Sequence, residues 1–525
     1  MKYISILFSL FITSTFILQA QTPQLVADFN QGNTDAFSQH WSTTAYVGEK
    51  IVLTLTNATA GEELGIIDNG NLSILKDINP GESASTPHNF ISFKNEVYFT
   101  AQGENGWGVW KTDGTEVGTV NFFQLPNGNR PGGYIVSKSG LLYFTYEGTL
   151  YQTDGVDVTE ITSGIAFTTE DDGPSRNYST FNSGIAFVRN LEASETIQLL
   201  MVSENGLDTL GEIAGASRFA DFYGLGQIKD GLFFLLSDSF RDELNGAYVY
   251  NEGNATITKI IIDGHETRVP VLIDYNDDFQ IVSIPNKGFY SISSDSSPAQ
   301  LIFEIDPDFP VQGQGIAQAK IGGKVLFHAE EDFGFDGEAI VLSDGTPEGT
   351  SKVFSSDEQF IQNIIGFNNY GFVAAGTSNG FDPQLYSVNV KSGEVQNLYN
   401  FPESSLKTES VILLGVQNSQ LYFASNLDAE VGREIYFIAL NLPDLLTSTK
   451  QVSSKYAVNF TSDGFEVQTT RHLPMQVQIF DLLGRNISTI NTHTNTFTAK
   501  IPSKEILVYL FEIEGQQFAH KVYRH

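Results

Sequence analysis

The sequence lacks several of the side chains on which metal and nucleophile chemistry depends. Among 525 residues there is no cysteine, and only eight histidines occur. The absence of cysteine excludes disulfides, thiolate zinc sites, cysteine nucleophiles and a lipid-modified N-terminal cysteine. With so few histidines, we expect them at strand or surface positions rather than in a metal centre or a catalytic triad.

Positive charge is also scarce. Lys and Arg total 29 against 62 Asp and Glu, and residues 21–448 alone carry a net charge of −36. An acidic surface of this kind argues against nucleic acid as a partner. The negative charge could instead keep the protein soluble, bind cations or attract a basic partner. Residues 449–525 differ from the rest, because their net charge is +2.

Long apolar runs are confined to the N-terminus. Lys2 is followed by an apolar run from Ile4 to Leu18 and then by the small Ala20. This pattern predicts a signal peptide over residues 1–20, cleaved between Ala20 and Gln21. A membrane anchor is the alternative, but the run is short for a bilayer span and Ser and Thr interrupt it. We expect no transmembrane segment in the mature chain.

A repeat dominates what is present. The phrase GVWKTDGTEVGT at 108–119 returns as AIVLSDGTPEGT at 339–350. Nine apolar segments, many of them aromatic, begin at residues 51, 97, 142, 185, 232, 279, 325, 371 and 421. Each lies among further short apolar segments separated by polar or Gly-containing turns, which gives four strands in about 46 residues. The period predicts an all-β fold, a large β-propeller of about nine four-stranded blades, with a linear β-solenoid as the alternative.

The ends of the repeat region predict how the ring closes. The ninth repeat shows no clear fourth strand, whereas QLVADFNQGN after residue 23 matches SILKDINPGE in the first repeat. We therefore predict that residues 24–29 supply the outer strand of blade nine. The first and sixth repeats are the most degenerate, so a count of seven or eight blades stays open.

The two DGT phrases, together with VGREIYF in the last repeat, resemble the ELWxSDGT-type repeat of secreted bacterial proteins. The resemblance is clear only in repeats two and seven. It implies a secreted or surface-attached β-propeller and no established reaction.

The tail has a different character. After a polar linker at 449–454, residues 455–525 form six alternating apolar segments, which predict a small β-sandwich. Residues 477–485, VQIFDLLGR, resemble the core of the C-terminal sorting domain of the type IX secretion system in Gram-negative bacteria. The strand ILVYLFEIEG and the basic end resemble it too, although Leu507 stands where that family usually has glycine. The resemblance assigns the sorting role to Asp481, Gly484, Arg485, Lys521 and Arg524. The alternative is an ordinary accessory sandwich.

Candidate sites in the propeller region, 21–448, are few. Asp332, Asp336 and Glu338 stand beside glycines as calcium ligands do, although the cluster lacks two ligands of a regular calcium loop. A solvated hairpin is the favoured interpretation here, and also for the acidic segment that contains Asp428, Glu430 and Glu434. The GTSNG stretch at 376–380 fits the GxSxG pattern, but no helix follows it, as a hydrolase elbow would require. Trp107 is the candidate for stacking on sugars, whereas Trp110 is expected in the core.

These observations favour a non-enzymatic binding or adhesion propeller, secreted or attached to the outer cell surface, with an extracellular glycan or protein as its ligand. Export through the type IX secretion machinery follows from the sorting-domain resemblance. The alternative is a secreted carbohydrate-active enzyme, a lyase or a glycosidase, that uses paired carboxylates at one mouth of the propeller. With 56 acidic residues in this region, chance pairs are certain and do not decide between the two.

Overall fold

The computed structural model shows a chain built almost entirely of antiparallel strands. It describes residues 22–30, 35–37, 44–81, 83–125, 134–136, 140–162, 178–182, 184–203, 206–262, 271–275, 278–284, 287–304, 318–330, 338–356, 359–377, 383–401, 411–427, 432–440, 442, 456–461, 464–469, 475–480, 486–492, 496–500, 507–513 and 516–522. The chain divides into two compact units, Met1–Asn441 and Leu442–His525.

The first unit contains nine four-stranded sheets, which we call blades 1 to 9. Blade 1 consists of strands Ala45–Val47, Lys50–Asn57, Gly61–Asp68 and Asn71–Lys76. Blade 2 consists of His88–Phe93, Glu96–Gly103, Gly106–Thr112 and Val120–Gln124. Blade 3 consists of Tyr134–Val136, Leu142–Tyr146, Thr149–Thr153 and Val158–Thr162. Blades 4 to 6 consist of Tyr178–Phe181, Gly184–Leu191, Thr196–Ser203 and Gly206–Ala214; Ala220–Ile228, Gly231–Asp238, Gly246–Asn251 and Thr256–Lys259; and Val271–Tyr275, Phe279–Ile284, Gly288–Ser293 and Gln300–Glu304.

Blades 7 to 9 complete the ring. They consist of Gln318–Ile321, Lys324–Glu330, Glu338–Ser343 and Ser351–Ser356; Gln359–Phe367, Tyr370–Thr377, Gln384–Asn389 and Val395–Asn400; and Ile412–Gln417, Gln420–Ser425, Glu434–Ala439 and Gln24–Leu25. The predicted nine-bladed β-propeller is confirmed, including the degenerate first and sixth repeats. The helices among the described residues are two 3-10 turns, Glu192–Ser194 and Asp242–Leu244.

The core lies between neighbouring blades and contains many aromatic residues. Val52 of blade 1 shares a buried cluster with Phe99 and Trp110 of blade 2. Similar clusters join each following pair as far as blades 7 and 8, and Phe401 meets Phe423 edge-on at 5.8 Å between blades 8 and 9. First strands of successive blades lie side by side, as His88–Phe93 does with Ala45–Val47, which places them around the centre of the ring.

Ring closure uses the N-terminal segment, as predicted, although the strand is Gln24–Leu25 and does not extend over residues 24–29. Gln24 pairs with Phe437 and Leu25 with Tyr436, and the Val26 N–H donates to Ile435 O at 2.9 Å. On the other side of blade 9, the Val416 N–H donates to the Tyr46 hydroxyl at 2.8 Å. Blade 9 is therefore bonded to blade 1 and completed by residues that precede blade 1 in the chain.

The repeated DGT phrase forms a turn that uses its own polar groups. Asp113 Oδ1 accepts hydrogen bonds from the Thr115 N–H at 2.9 Å and from its hydroxyl at 2.6 Å. The Thr115 Oγ1 then accepts from the Gly118 N–H at 3.0 Å. Asp344, Thr346 and Gly349 repeat this arrangement in blade 7. The phrase recurs because it closes a hairpin. Its glycine has a positive φ, 82° at Gly114 and 84° at Gly345, which glycine adopts without strain.

The strand order gives the ring two faces that carry different connections. Because successive strands are antiparallel, the links from first to second and from third to fourth strand lie on one face, which we call the turn face. The links from second to third strand, and from each blade to the next, lie on the other, which we call the loop face. The DGT turns belong to the turn face.

The second unit contains two antiparallel sheets, as many as the predicted β-sandwich requires. One sheet orders Tyr456–Thr461, Gly464–Thr469 and Thr496–Lys500; the other orders Asn486–Thr492, Met475–Phe480, Leu507–Ile513 and Gln516–Val522. Six of these seven strands coincide with the predicted apolar segments. The edge strand Asn486–Thr492 was missed by the sequence analysis.

A candidate functional site on the loop face

Most of the residues predicted to form sites lie outside the described part of the chain. This holds for Ala20, Gln21, Asp332, Asp336, Asp428, Glu430, Asp481, Gly484, Arg485 and Arg524. Lys521 lies in the last strand, Gln516–Val522, and Glu338 begins strand Glu338–Ser343, where it pairs with Glu330. Within the described ranges, no group of three His, Asp or Glu side chains is arranged to hold a metal ion. Gly376 and Thr377 end a strand, and the rest of GTSNG lies outside the described residues.

The tryptophan prediction is half right. Trp110 lies in the core between blades 1 and 2, as expected. Trp107 was predicted to be exposed, but only 9% of it is accessible, because it packs with Leu125 and with Tyr146 of the next blade. Trp107 is therefore not a surface for stacking on sugars.

The described histidines of the propeller lie in strands, as expected. His328 is buried in strand Lys324–Glu330. His88 begins the first strand of blade 2, and its Nδ1 lies 2.9 Å from Thr86 O. Its ring meets Trp107 edge-on at 5.4 Å.

Two fully buried glutamates occupy equivalent positions in blades 1 and 9. Glu63 and Glu434 each pair with the sixth residue of the second strand, Leu55 and Ser425 respectively. Glu63 accepts hydrogen bonds from the Ile78 N–H at 2.7 Å and from the Ser85 hydroxyl at 2.6 Å. Burial raises the pKa of Glu63 to about 7, although these bonds act in the opposite direction.

Glu434 performs the same task at the closure of the ring. Its Oε2 accepts from the Phe29 N–H at 3.3 Å, and burial raises its pKa to about 7, with Asp28 and Asp35 contributing. The interpretation of this glutamate as part of a solvated hairpin is wrong, because it is 0% exposed. Both glutamates hold the backbone of a blade-to-blade link and face no open surface, so we assign them a structural role.

A third buried carboxylate, Asp238, has a different setting. It ends the second strand of blade 5 and is 0% exposed. Its Oδ2 accepts from the Ser217 N–H at 2.6 Å, and its Oδ1 accepts from the Ser217 hydroxyl at 2.7 Å and the Phe240 N–H at 2.9 Å. Burial acts to raise the pKa of Asp238, but these bonds, together with the nearby Arg241, hold it below its ordinary value. A buried carboxylate is stable only with such a set of donors.

Asp238 joins two separate loops of the loop face. Residues 215–219 link blade 4 to blade 5, and residues 239–245 link the second and third strands of blade 5. The Ser217 hydroxyl, which donates to Asp238, also accepts from the Phe219 N–H at 3.1 Å. The backbones of Phe219 and Phe240 are therefore fixed by one buried carboxylate.

The two side chains held in this way are exposed and touch each other. Phe219 is 47% and Phe240 64% exposed, and among the aromatic residues whose side chains the structure describes, these two alone are exposed. Their ring centroids lie 5.1 Å apart with planes tilted by 34°. The guanidinium carbon of the exposed Arg218 lies 4.6 Å from the Phe219 ring centroid. We call Arg218, Phe219 and Phe240 the aromatic platform.

The sequence analysis did not find the aromatic platform. The signal in the sequence is weak. SRF and SFR each place an aromatic residue beside arginine in a link between strands, but other links, such as EDFGFDG at 331–337, contain aromatic residues too. Only the fold brings the two links together, through Asp238. On the described part of the loop face, the platform is the arrangement best suited to contact a ligand.

No helix among the described residues is long and apolar enough to cross a membrane. No family model matches the chain, and no curated protein sequence matches it significantly.

Solved structures with a similar arrangement of strands do exist. An oligogalacturonate lyase in complex with manganese is 10% identical with a TM-score of 0.36, over 66% of this chain and 86% of that one. A puromycin-hydrolysing peptidase from Mycobacterium tuberculosis is 11% identical with a TM-score of 0.38, over 73% of this chain and 57% of that one.

PorZ, a surface component of the type IX secretion system of Porphyromonas gingivalis, is 13% identical with a TM-score of 0.27, over 92% of this chain and 75% of that one. With TM-scores below 0.5, these three likenesses carry no argument about function.

Proposed function

We propose that this protein is a secreted or cell-surface β-propeller that binds an extracellular ligand without transforming it. The observation that carries the proposal is the exposed Phe219–Phe240 pair, held in place from below by the buried Asp238. Two half-exposed phenyl rings in contact leave apolar surface in water, which costs free energy in the unliganded protein. A fixed backbone beneath them lowers the entropic cost of binding, since the site is already ordered.

Export is the second part of the proposal. The N-terminal signal sequence would carry the chain across the inner membrane, and the tail at 455–525, which resembles a type IX sorting domain, would carry it across the outer membrane. Two features support a separable sorting domain. The charge changes from −36 in residues 21–448 to +2 in residues 449–525, and the chain divides into two compact units near that point.

Fractionation of three proteins in a host with the type IX machinery tests export. They are the intact chain, the chain without residues 455–525, and a signal-bearing fluorescent protein fused to residues 455–525. We expect the first and third at the surface or in the medium and the second in the periplasm. Efficient surface delivery of the truncated chain would show that the tail is an ordinary accessory sandwich.

Binding is tested by incubating the purified mature protein with cell-surface and matrix material and measuring both retention and product formation. We expect retention with no change in the bound material. Time-dependent release of new saccharide ends would replace this proposal with the alternative, a secreted lyase or glycosidase.

A further inference from the structure

We infer that the exposed face of Phe240 binds an arginine side chain from a short basic segment of a partner protein. This inference rests on the proposed binding function and names the class of its ligand. The partner's guanidinium lies flat on the Phe240 ring, and further cationic side chains of the segment pair with two exposed aspartates, Asp221 and Asp242.

Phe240 offers one open ring face to a partner. Phe219 contacts it on one side, with ring centroids 5.1 Å apart, and yet 64% of Phe240 is exposed. Phe219 is less accessible, because the Arg218 guanidinium carbon lies 4.6 Å from its ring centroid. The platform is therefore a stack that ends in a cation at Phe219 and is open at Phe240.

The contact between Arg218 and Phe219 shows which group suits the open end. The face of an aromatic ring is negative and attracts cations. Arginine suits this contact better than lysine, because its guanidinium is planar and more weakly hydrated. Among the described residues, no cation lies over the Phe240 ring. A guanidinium from a partner therefore extends the stack at this end.

Two exposed aspartates beside the platform select a basic partner. Asp221 follows Phe219 by two residues, and Asp242 follows Phe240 by two residues. Both are exposed, and neither carboxylate has a hydrogen bond or an ion pair with any residue that the structure describes. Carboxylates of this kind can accept bonds from lysine or arginine side chains of a partner.

The basic side chains nearby do not neutralise these aspartates, because other groups already bind them. Arg241 lies 3.8 Å from Glu195 and donates to Gly215 O at 3.2 Å. The Lys259 Nζ donates to Glu243 O at 2.6 Å. The surrounding region has a net charge of −36. Its field attracts a cationic segment and repels nucleic acids, anionic polysaccharides and anionic lipid surfaces.

The size and rigidity of the platform fit a short segment. A Phe side chain buries about 150–250 Å², so two half-exposed rings offer roughly 200 Å² of new contact. A stable interface between folded proteins needs about 800 Å² on each partner. Asp238 fixes the backbones of both Phe219 and Phe240, so this small site is ordered before the segment binds.

The test measures binding of fluorescein-labelled peptides to the full mature protein by fluorescence anisotropy. In one peptide, arginines alternate with Gly-Ser pairs, and in three companions every arginine is replaced by lysine, by citrulline or by glutamate. We expect the arginine peptide to bind most tightly and the lysine peptide less tightly. The citrulline and glutamate peptides should not bind, and added salt should weaken binding of the arginine peptide.

Four variants locate the binding site. Phe240→Ala should weaken binding of the arginine peptide about tenfold. Asp221→Asn and Asp242→Asn should each weaken it about threefold. Arg218→Ala should instead tighten it, because this change removes a repelling charge and uncovers the face of Phe219.

Asp157→Asn and Val117→Ala are the matched controls, since they remove one charge and one apolar side chain from exposed positions on the turn face. Both should bind like the natural protein, and thermal unfolding of every variant separates a lost site from a lost fold. Unchanged binding by folded Phe240→Ala, or equal weakening by Asp157→Asn and Asp242→Asn, would show that the peptide follows the general field of the protein and would overturn the site.

Failure of the arginine peptide to bind, or equal binding of the citrulline peptide, would overturn the class of partner. Retention of the protein on cell-surface material would then judge the proposed binding function separately.

Discussion

The Glu434 carboxylate accepts a hydrogen bond from the Phe29 N–H across 405 positions of the chain. The Glu63 carboxylate makes the equivalent bond to the Ile78 N–H at 2.7 Å, only 15 positions away. One structural device therefore fixes an ordinary blade-to-blade link and also the closure of the ring. The two sites differ in one donor, because the Ser85 hydroxyl also bonds Glu63, whereas an alanine, Ala36, stands at the equivalent position beside Glu434.

We predict that the propeller loses stability as pH rises from about 4.5 to about 7. Burial raises the pKa of Glu63 and Glu434 to about 7 from an ordinary value of 4.5. Below pH 4.5 both the folded and the unfolded chain hold these protons, so there is no penalty. Between the two values the unfolded chain ionises while the folded chain keeps its protons, which costs about 3 kcal/mol per group by pH 7.

Glu434→Gln removes one of these two ionisations. We expect its unfolding free energy to depend less on pH between 5 and 8 than that of the natural protein, as measured by urea denaturation at each pH. Glu348→Gln at an exposed carboxylate is the control and should leave the slope unchanged. Equal slopes for all three proteins would show that Glu434 is ionised in the folded state.

A second prediction concerns Ala36. Ser85 and Ala36 are equivalent, because the Ser85 N–H donates to Glu62 O and the Ala36 N–H donates to Arg433 O, both at 2.9 Å. The Ser85 hydroxyl donates to Glu63 Oε2, the oxygen that also accepts from the Ile78 N–H. At Glu434 the equivalent residue, Ala36, has no hydroxyl to act as such a donor. Ala36→Ser should supply that donor and stabilise the protein by about 1 kcal/mol.

The measurement for Ala36 is the midpoint of chemical denaturation, with Ala36→Cys as a control of similar size but weaker donor strength. Ala36→Ser in the Glu434→Gln background should give a smaller gain, because the acceptor there is no longer a carboxylate. A loss of stability in Ala36→Ser alone would show that the Glu434 carboxyl group does not accept a hydrogen bond from a hydroxyl at position 36.

The third prediction tests the DGT turn by a double-mutant cycle. A Cβ atom on Gly118 would lie 2.1 Å from Asp113 Oδ1, so Gly118→Ala should cost about 1–3 kcal/mol. Asp113→Ala removes the oxygen that the new methyl group meets. The double variant should therefore lose less stability than the sum of the two single variants. Strict additivity in urea denaturation would show that Gly118 is not constrained by the aspartate.

The fourth prediction concerns ring closure. Val26→Pro removes the N–H that donates to Ile435 O at 2.9 Å, and should destabilise the propeller by about 1–3 kcal/mol. Val26→Ala keeps this donor and isolates the effect of the side chain. Limited proteolysis should cut the Pro variant faster near blade 9. Identical cleavage of the two variants would mean that the N-terminal strand contributes little to closure.

The fifth prediction concerns Asp238, whose pKa lies below its ordinary value. A lowered pKa stabilises the fold above the unfolded value of 3.8, and this contribution is lost as pH falls. Asp238→Asn replaces an acceptor of three hydrogen bonds, so we expect a loss of about 1–3 kcal/mol at pH 7 and a smaller loss on acidification. Asp242→Asn nearby is the control. Unaltered acid sensitivity in Asp238→Asn would contradict the low pKa.

The number of blades was predictable because each blade repeats the same local pattern of turn residues and apolar strands. Turn residues with positive φ, such as Gly114 and Gly345, and alternating apolar strands recur at a period that depends only on neighbouring residues. Even degenerate repeats keep their buried second strands, for example Phe279–Ile284 in blade 6. The closing strand was predictable because QLVADFNQGN repeats the pattern of a known fourth strand.

The aromatic platform and the fate of Trp107 were not predictable in this way. Whether an aromatic residue is buried depends on the neighbouring blade, as Trp107 shows by packing with Tyr146. Asp238 connects links that are about 20 residues apart, and no local pattern encodes that contact. The strand Asn486–Thr492 was missed because it lies at a sheet edge, where polar residues satisfy the backbone as well as apolar ones do.

The closure of blade 9 by Gln24–Leu25 also sets an order of events in a newly made chain. That strand is synthesised about 400 residues before its partner Glu434–Ala439, and loop-closure entropy opposes their meeting until the intervening blades have folded. We therefore expect this join to be among the last contacts of the ring to form. A chaperone or protease that acts before that moment meets the unpaired edge of Glu434–Ala439.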